Sequence, residues 1–500
     1  MMKRRGFLAS SVAALALGSK RTSAQEAPDS LLAEARALAA SIYVPPSSEL
    51  PPPFDGLSYD AYRGIRPVPG KAAMLPLGAD YAVDLLPPGL YFPDPVEIEL
   101  PTETGFARLP VSPDLFSFEP RYFDSIPDTS PEAGFSGLRL RYPLNTTGVL
   151  DEVLVVQGAS YFRAIGQAMA YGLSARAVAI GTGGSVPEEF PRFTRLRLHG
   201  EQDGAVRMEA VIDSPSLAGH LDMTLRPGTD TMMDLTVTLM PRREIADIGV
   251  APLTSMYLKG PMRSAVSDDF RPRVHDSDVL VIKTGGGEQV WRPIANPARV
   301  ETSAFLDDSP AAFGFWQTAR MFEDFEDSEA RYHDRPSALV EPLNNWGPGA
   351  VILVEIPTGD EFMDNIVAFW RPLEPLAAGT EHSFDYRLTW TRSPSPVISS
   401  MPIRQSRSGR EHDRPGTRRF VVDFAGNEAR LWPDLSATDG EISGESLFIL
   451  PDDRGTRMTF LLTPGDVDTI DLRLVLRDNT GAAASPVWLY RWTRARDGDV

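Results

Sequence analysis

Between residues 54 and 372 the chain alternates apolar and polar positions in short runs. The stretches at 137–144 (GLRLRYPL), 192–200 (RFTRLRLHG), 205–213 (AVRMEAVID), 233–241 (MDLTVTLMP) and 278–294 (DVLVIKTGGGEQVWRPI) all carry this period of two. That period predicts half-buried strands, and the glycines at 285–287 predict a hairpin loop. Two denser apolar runs, 351–356 and 366–370, read as buried strands, with Pro357 and Gly359 marking the break between them. Helical spacing is confined to three places. Leu31, Leu32, Ala35, Leu38 and Ile42 predict a helix that Asp29 and Ser30 can cap; Phe162, Ile165 and Met169 predict a short helix or turn within 158–172; and an aromatic cluster predicts another helix within 309–325. After a linker at 373–379, short alternating strands resume, beginning with HSFDYRLTWT. The expected fold is therefore all-β: a large N-terminal β-sandwich over residues 25–372 and an Ig-like β-sandwich over 380–500. The 45 prolines suit sheet edges and turns.

Charge and composition narrow the function classes. The net charge is −19, and no long basic run follows the N-terminus. This argues against nucleic acid, whose phosphates demand clustered Lys and Arg, and leaves neutral sugars as natural partners. With no cysteine, thiolate catalysis, disulfides and Cys-ligated metal centres are excluded. The first residues read as an export signal: Lys3-Arg4-Arg5-Gly6-Phe7-Leu8 is a twin-arginine pattern, an apolar run spans 7–18, and Thr22-Ser23-Ala24 is a cleavage site. The apolar run falls short of the roughly 20 residues that span a bilayer. Residues 1–24 are thus expected to be removed and the mature chain to be periplasmic and not membrane-spanning.

The remaining tools are carboxylates, His, Ser, Tyr, Lys and Arg. The six histidines show no metal-binding spacing, so neither a metal nor a cofactor is expected. A metal at His275-Asp276-Ser277-Asp278 competes with its plainer reading, a polar turn at a strand entry. Two acidic clusters stand beside strand ends, Asp276/Asp278 and Asp360/Glu361/Asp364. Aromatics flank them in sequence: Trp291, Trp316, Tyr332, Trp346 and Trp370. Two carboxylates with aromatic rings match a glycoside-cleaving cleft, in which one acid protonates the leaving oxygen and the other activates water. The competing readings are a solvated acidic turn and ordinary core aromatics.

Long stretches identify a resemblance. They include FDGLSYDAYRGIR (54–66), LYFPDPVEI (90–98), FSGLRLRYPLN (135–145), GASYFRAIGQAMAYGLSARAVAI (158–180), RPRVHDSDVL (271–280), RYHDRPSALVEPLNNWGPGAVILVEIPT (331–358) and DNIVAFWRP (364–372). Over nearly the whole mature chain the sequence resembles the periplasmic glucan biosynthesis proteins G and D, and its twin-arginine start looks more like the D branch. The resemblance implies a galactose mutarotase-like N-terminal sandwich, an Ig-like C-terminal domain, and a role in osmoregulated periplasmic glucans with a β-1,2-linked backbone. Family members resemble inverting β-1,2-glucan hydrolases of glycoside hydrolase family 186, and some relatives are transglycosylases. It further implies Asp364 as general acid and Asp276 as general base. Substrate contacts are expected at Asp278, Tyr332, Arg335, Trp346 and Trp370, with Asp360 and Glu361 as support or substrate contacts. The implied partners are linear β-1,2-glucan and glucan-synthesis machinery at the inner membrane. The chain departs from the family pattern at Phe362-Met363, where small polar residues are expected, at Leu343-Asn344-Asn345, and at Val279 in place of Gly. Hydrolysis, transglycosylation and non-catalytic glucan binding all remain open at the level of sequence.

Overall fold

The computed structural model describes residues 30–498 except 47–48, 69–76, 79, 132, 185, 263–267, 393–400 and 429. The expected export signal lies outside the described residues, as does Asp29 of the helix cap. Among the described residues, no helix is long and apolar enough to cross a membrane.

Two large sheets face each other. One runs in the order Ala82–Leu86, Gly137–Tyr142, Asp151–Gln157, Tyr161–Ala164, Ser174–Arg176, Ile248–Ser255, Ile366–Pro372, Gly349–Glu355, Glu301–Asp307. The other contains the long meander Arg192–Leu198, Val206–Asp213, Leu217–Arg226, Thr231–Pro241 and His382–Thr391, followed by Ser337–Pro342, Ala312–Trp316, Val279–Lys283 and Gln289–Pro293. The period of two decides which side chains meet. Val206, Met208, Ala210 and Ile212 are buried on one strand, Met233, Leu235, Val237 and Leu239 on another, and Phe384, Tyr386, Leu388 and Trp390 on a third. These residues join Leu138, Leu154, Leu253, Val351 and Ala368 of the facing sheet in one continuous core. Such interdigitation of two inner faces defines a sandwich.

The first helix forms as the spacing predicts, over Leu31–Ala39, with the Ser30 hydroxyl accepting from the Ala33 amide. Leu31 and Ala35 dock on Val211 and Met240. Ile42 lies beyond the helix end and is exposed. The other two helical expectations are overturned. The 158–172 stretch supplies strand Tyr161–Ala164, paired on both sides. The 309–325 stretch supplies strand Ala312–Trp316 and only a 3-10 turn at Phe322–Asp324. Cross-strand pairing outweighs the coincidental three-and-four spacing in the first stretch and the aromatic cluster in the second, where Phe313 and Phe315 are buried within a paired strand.

The strand His382–Thr391 also departs from expectation. It was expected to open the C-terminal sandwich, yet it pairs with Thr231–Pro241 and Ser337–Pro342 in the middle of the large sheet. Its alternate apolar residues fit that core as well as any Ig-like one. The preceding 373–379 segment is tied down by paired backbone bonds between Ile245 and Leu376 and by the Gly379 amide donating to the Pro241 carbonyl. Beyond it, Ile403–Arg410, Arg418–Phe424, Thr456–Thr463 and Glu441–Ile449 form a four-stranded sheet. Trp432–Ala437, Thr469–Arg477 and Val487–Thr493 form its partner layer, which joins the large sheet through a parallel pairing at Val290 and Val487. The core between them is rich in aromatic rings: Phe420 stacks on Phe460 at 5.1 Å, and Trp488 stacks on Tyr490 at 5.8 Å. That core extends onto Val279, Val281 and Trp291, so the small sandwich is welded to the large one by packing as well as pairing.

Candidate active site

The two acidic clusters lie at neighbouring strand ends. Strand Gly349–Glu355 turns through an acidic loop into Ile366–Pro372, and the two strands pair from Glu355–Ile366 onward. Asp364 stands two residues before the second strand. Its neighbour Asn365 is fully buried and makes three bonds: its Oδ1 accepts from the Tyr257 amide at 2.8 Å, and its Nδ2 donates to the carbonyls of Tyr257 and Ile356 at 3.1 and 2.9 Å. Tyr257 belongs to the short strand Tyr257–Lys259 that pairs with Val274–His275, and the following Asp276 amide donates to the Met256 carbonyl at 2.8 Å. One buried amide therefore ties the segment carrying Asp364 to the segment that aligns Asp276. The motif Asp364-Asn365-Ile366 was legible in the sequence; the bridging role of Asn365 was not.

Asp276 is only 3 % exposed. Arg335 donates to its Oδ1 and to the Ala330 carbonyl, and its guanidinium lies 4.2 Å over the Tyr332 ring. Asp364 is exposed and lines an open cavity. Burial and the negative charge of Asp276 push its carboxyl above the usual aspartate range, against the opposing pull of Arg163, Arg335 and Arg176. The two carboxyls are thus electrostatically coupled, and no hydrogen bond joins them.

The cavity above Asp364 has a volume of about 600 Å³. Its wall is a row of side chains in register across three strands, Arg139 opposite Val155 and Val155 opposite Arg163, with Tyr161, Gln157, Glu152 and Tyr171 around them. Several are already engaged: Arg139 pairs with Glu152 at 2.5 Å, and Arg176 stacks 5.0 Å over Tyr161 while pairing with Glu188. Two donors are not engaged. The Tyr171 hydroxyl has no partner among the described residues, and burial keeps it protonated. Arg163 makes no hydrogen bond or ion pair among the described residues. Sequence reasoning missed this wall because it assigned 158–172 to a short helix or turn. The available signal was alternation, since Tyr161 and Arg163 face the cavity while Phe162 and Ala164 enter the core.

The other expected contacts divide sharply. Glu361 braces the loop, its Oε2 accepting from Arg271 at 2.7 Å and from the Tyr332 hydroxyl at 2.5 Å. Asp360 closes a turn by accepting from the Phe362 amide at 2.9 Å. Asp278 spends both oxygens on Thr318, one on its amide and one on its hydroxyl. Tyr332 is buried beneath Arg335, so its ring offers no face to a sugar. Trp346 and Trp370 are core residues and do not reach the cavity: Trp370 is 0 % exposed, and Trp346 meets Phe384 and Tyr386 edge-on at 5.8 and 5.9 Å. Their apolar surface is worth more inside the sandwich than at a wet site. His275 is also interior, stacked on Tyr257 at 5.3 Å, and burial lowers its pKa to about 4. For Trp346→Ala we expect the unfolding free energy to fall by about 3–5 kcal/mol. Chemical denaturation checks this; an unchanged unfolding free energy would take Trp346 out of the core.

Comparison with known proteins supplies the family. Residues 27–492 match the family model described as periplasmic glucan biosynthesis protein, MdoG. The chain is 41 % identical over 475 residues to glucans biosynthesis protein G of Vibrio cholerae, covering 93 % of this chain and 86 % of that one. It is 39 % identical to the protein of that name from Shewanella frigidimarina, over 93 % of this chain and 84 % of that one. It is 40 % identical to glucans biosynthesis protein G 1 of Shewanella oneidensis, at 93 % and 86 % coverage. With a family match over residues 27–492 and this degree of identity over most of both chains, the chain belongs to the periplasmic glucan biosynthesis family MdoG.

Proposed function

We propose that this protein cleaves the β-1,2-linked backbone of periplasmic glucan by acid–base hydrolysis with inversion. Asp364 is the acid and Asp276 the base. The observation that carries the reading is Asp364 on the cavity lining, its carboxyl pushed up by burial and by the nearby Asp276, which Arg335 holds in place. A protonated Asp364 donates to the glycosidic oxygen as the bond to the anomeric carbon breaks. Asp276, charged and paired with Arg335, takes the proton from the attacking water. Because Asp276 is buried and does not line the cavity, that proton travels through intervening water. Inversion needs the carboxyls about 6.5–9.5 Å apart, or farther with such a relay; the absence of a direct bond between them accords with either. The free donors Arg163 and Tyr171 suit sugar hydroxyls, and the overall negative charge suits a neutral polymer.

The expected setting is the periplasm, reached through the signal at 1–24, beside the machinery that makes the glucan at the inner membrane. The test is incubation with linear β-1,2-glucan and size analysis of the products. Shorter chains are expected. Lengthened or cyclic chains would instead indicate transglycosylation by the same carboxylates, and unchanged chains bound with measurable affinity would reduce the protein to a binder.

A further inference from the structure

Asp276 is held from both sides along the chain by one short segment, Trp316-Gln317-Thr318, at the end of strand Ala312–Trp316. On one side, the Gln317 side-chain Nε2 donates to the carbonyl of His275 at 3.0 Å. On the other, the Asp278 amide donates to the Trp316 carbonyl at 2.9 Å, and the Asp278 carboxylate accepts from the amide and the hydroxyl of Thr318. The same Gln317 Nε2 reaches a second carbonyl, that of Tyr332, at 3.3 Å. Tyr332 opens the 3-10 turn Tyr332–Asp334 that Arg335 caps, and the Arg335 amide donates to this same carbonyl at 3.1 Å. Gln317 is 2 % exposed, and both its amide hydrogens are spent on these carbonyls. Turned the other way, its oxygen would face two carbonyl oxygens, so the bonds also set its orientation. Its Oε1 has no partner among the described residues. A buried acceptor left unpaired costs stability, which leaves the nitrogen as the working end of this side chain. The backbone of Gln317 is itself anchored, its amide donating at 3.2 Å to the Ser337 hydroxyl, which also accepts from Arg320 at 2.8 Å.

We propose that Gln317 is a positioning residue for the base: its carboxamide holds the backbone carrying Asp276 in register with the turn carrying Arg335, and so aims the Asp276 carboxylate. This rests on the reading of Asp276 as base and goes beyond it by naming what sets its geometry. Asp276 and Arg335 lie 59 residues apart and follow a two-residue strand and a single 3-10 turn, elements too short to fix one another by a long ladder. Arg335 donates to Oδ1, whereas Oδ2 makes no hydrogen bond among the described residues and is the oxygen left to receive a proton. One contact between two segments is a pivot. A second contact fixes the angle, and Gln317 supplies it by bonding to both backbones. Without it the ion pair can still form, but the direction of Oδ2 is no longer set.

The test is Gln317→Met, which keeps the length of the side chain and removes both donors. We expect kcat on linear β-1,2-glucan, measured per folded molecule well below Tm, to fall about 10²-fold, the scale of a 1 Å misplacement at a reacting group. KM should be unchanged, because Gln317 does not line the cavity. Gln317→Asn keeps the carboxamide on a shorter stem that reaches one carbonyl but not both. It should lose less than Gln317→Met, and it serves as the variant if Gln317→Met does not fold. An unchanged kcat would overturn the proposal, as would a loss that only tracks the folded fraction or appears only in KM. Crystal structures of wild type and variant read the geometry without turnover. In Gln317→Met, Asp276 and the 332–335 turn should shift against each other by about 1 Å; superimposable positions would refute the positioning role. If wild type leaves the glucan uncut, it is the assignment of Asp276 as base that fails, and the crystal comparison still decides whether Gln317 sets its geometry.

Discussion

Asp364→Asn is expected to lower kcat on linear β-1,2-glucan by about 10³-fold or more, the scale of a lost general acid. The variant should not be less stable than wild type. Asp364 holds its proton more tightly in the folded protein than in the unfolded chain, because burial and Asp276 oppose its charge. Its stabilising contribution is therefore complete below the unfolded-state pKa and is lost as pH rises through the folded-state pKa. At neutral pH the wild-type carboxylate is a cost that a neutral Asn avoids, so Tm should be equal or higher. The same shift shapes the activity profile. Activity that needs a protonated Asp364 falls as pH rises, with its alkaline limb above the ordinary aspartate range. A pH profile of kcat/KM together with a melting curve checks all three points; full activity in Asp364→Asn would remove it from the reaction.

Asp276→Asn is expected to cost a similar factor in kcat but to behave differently in stability. The base is buried and carries the ion pair with Arg335, which also holds the Ala330 carbonyl and covers Tyr332. An Asn keeps a hydrogen-bond acceptor but leaves the guanidinium without its counter-charge, at a cost of about 1–3 kcal/mol. Loss of activity with a lowered Tm is the predicted signature, distinct from that of Asp364→Asn. Retained turnover would show that water is activated elsewhere.

The contrast between these carboxylates also marks what the sequence can and cannot convey. Strand runs with a strict period of two, such as Val206–Asp213 and Thr231–Pro241, were legible because one face is core and the other is not. The acidic loop was legible because Pro357 and Gly359 break two apolar runs. Tyr161–Ala164 was misread because its buried Phe162 falls, by chance, at helical distance from Ile165 and Met169, and only pairing with neighbours far along the chain decides the matter. His382–Thr391 was assigned to the wrong layer for a related reason, since alternation says that a strand has a buried face but not which sheet receives it. Aromatic residues near acids in sequence suggested sugar platforms at Trp346 and Trp370, yet both supply the sandwich core. The side chains that do face the cavity, Arg163 and Tyr161, lie some two hundred residues from Asp364 and meet it only when the sheet closes.

The central claim is an acid–base pair that inverts at the anomeric carbon, and proton NMR of the first products from linear β-1,2-glucan tests it most directly. The α-anomer of the new reducing end should appear first and then relax to the equilibrium mixture by mutarotation. A β-anomer appearing first, or no new reducing ends at all, would contradict the assignment of Asp364 and Asp276.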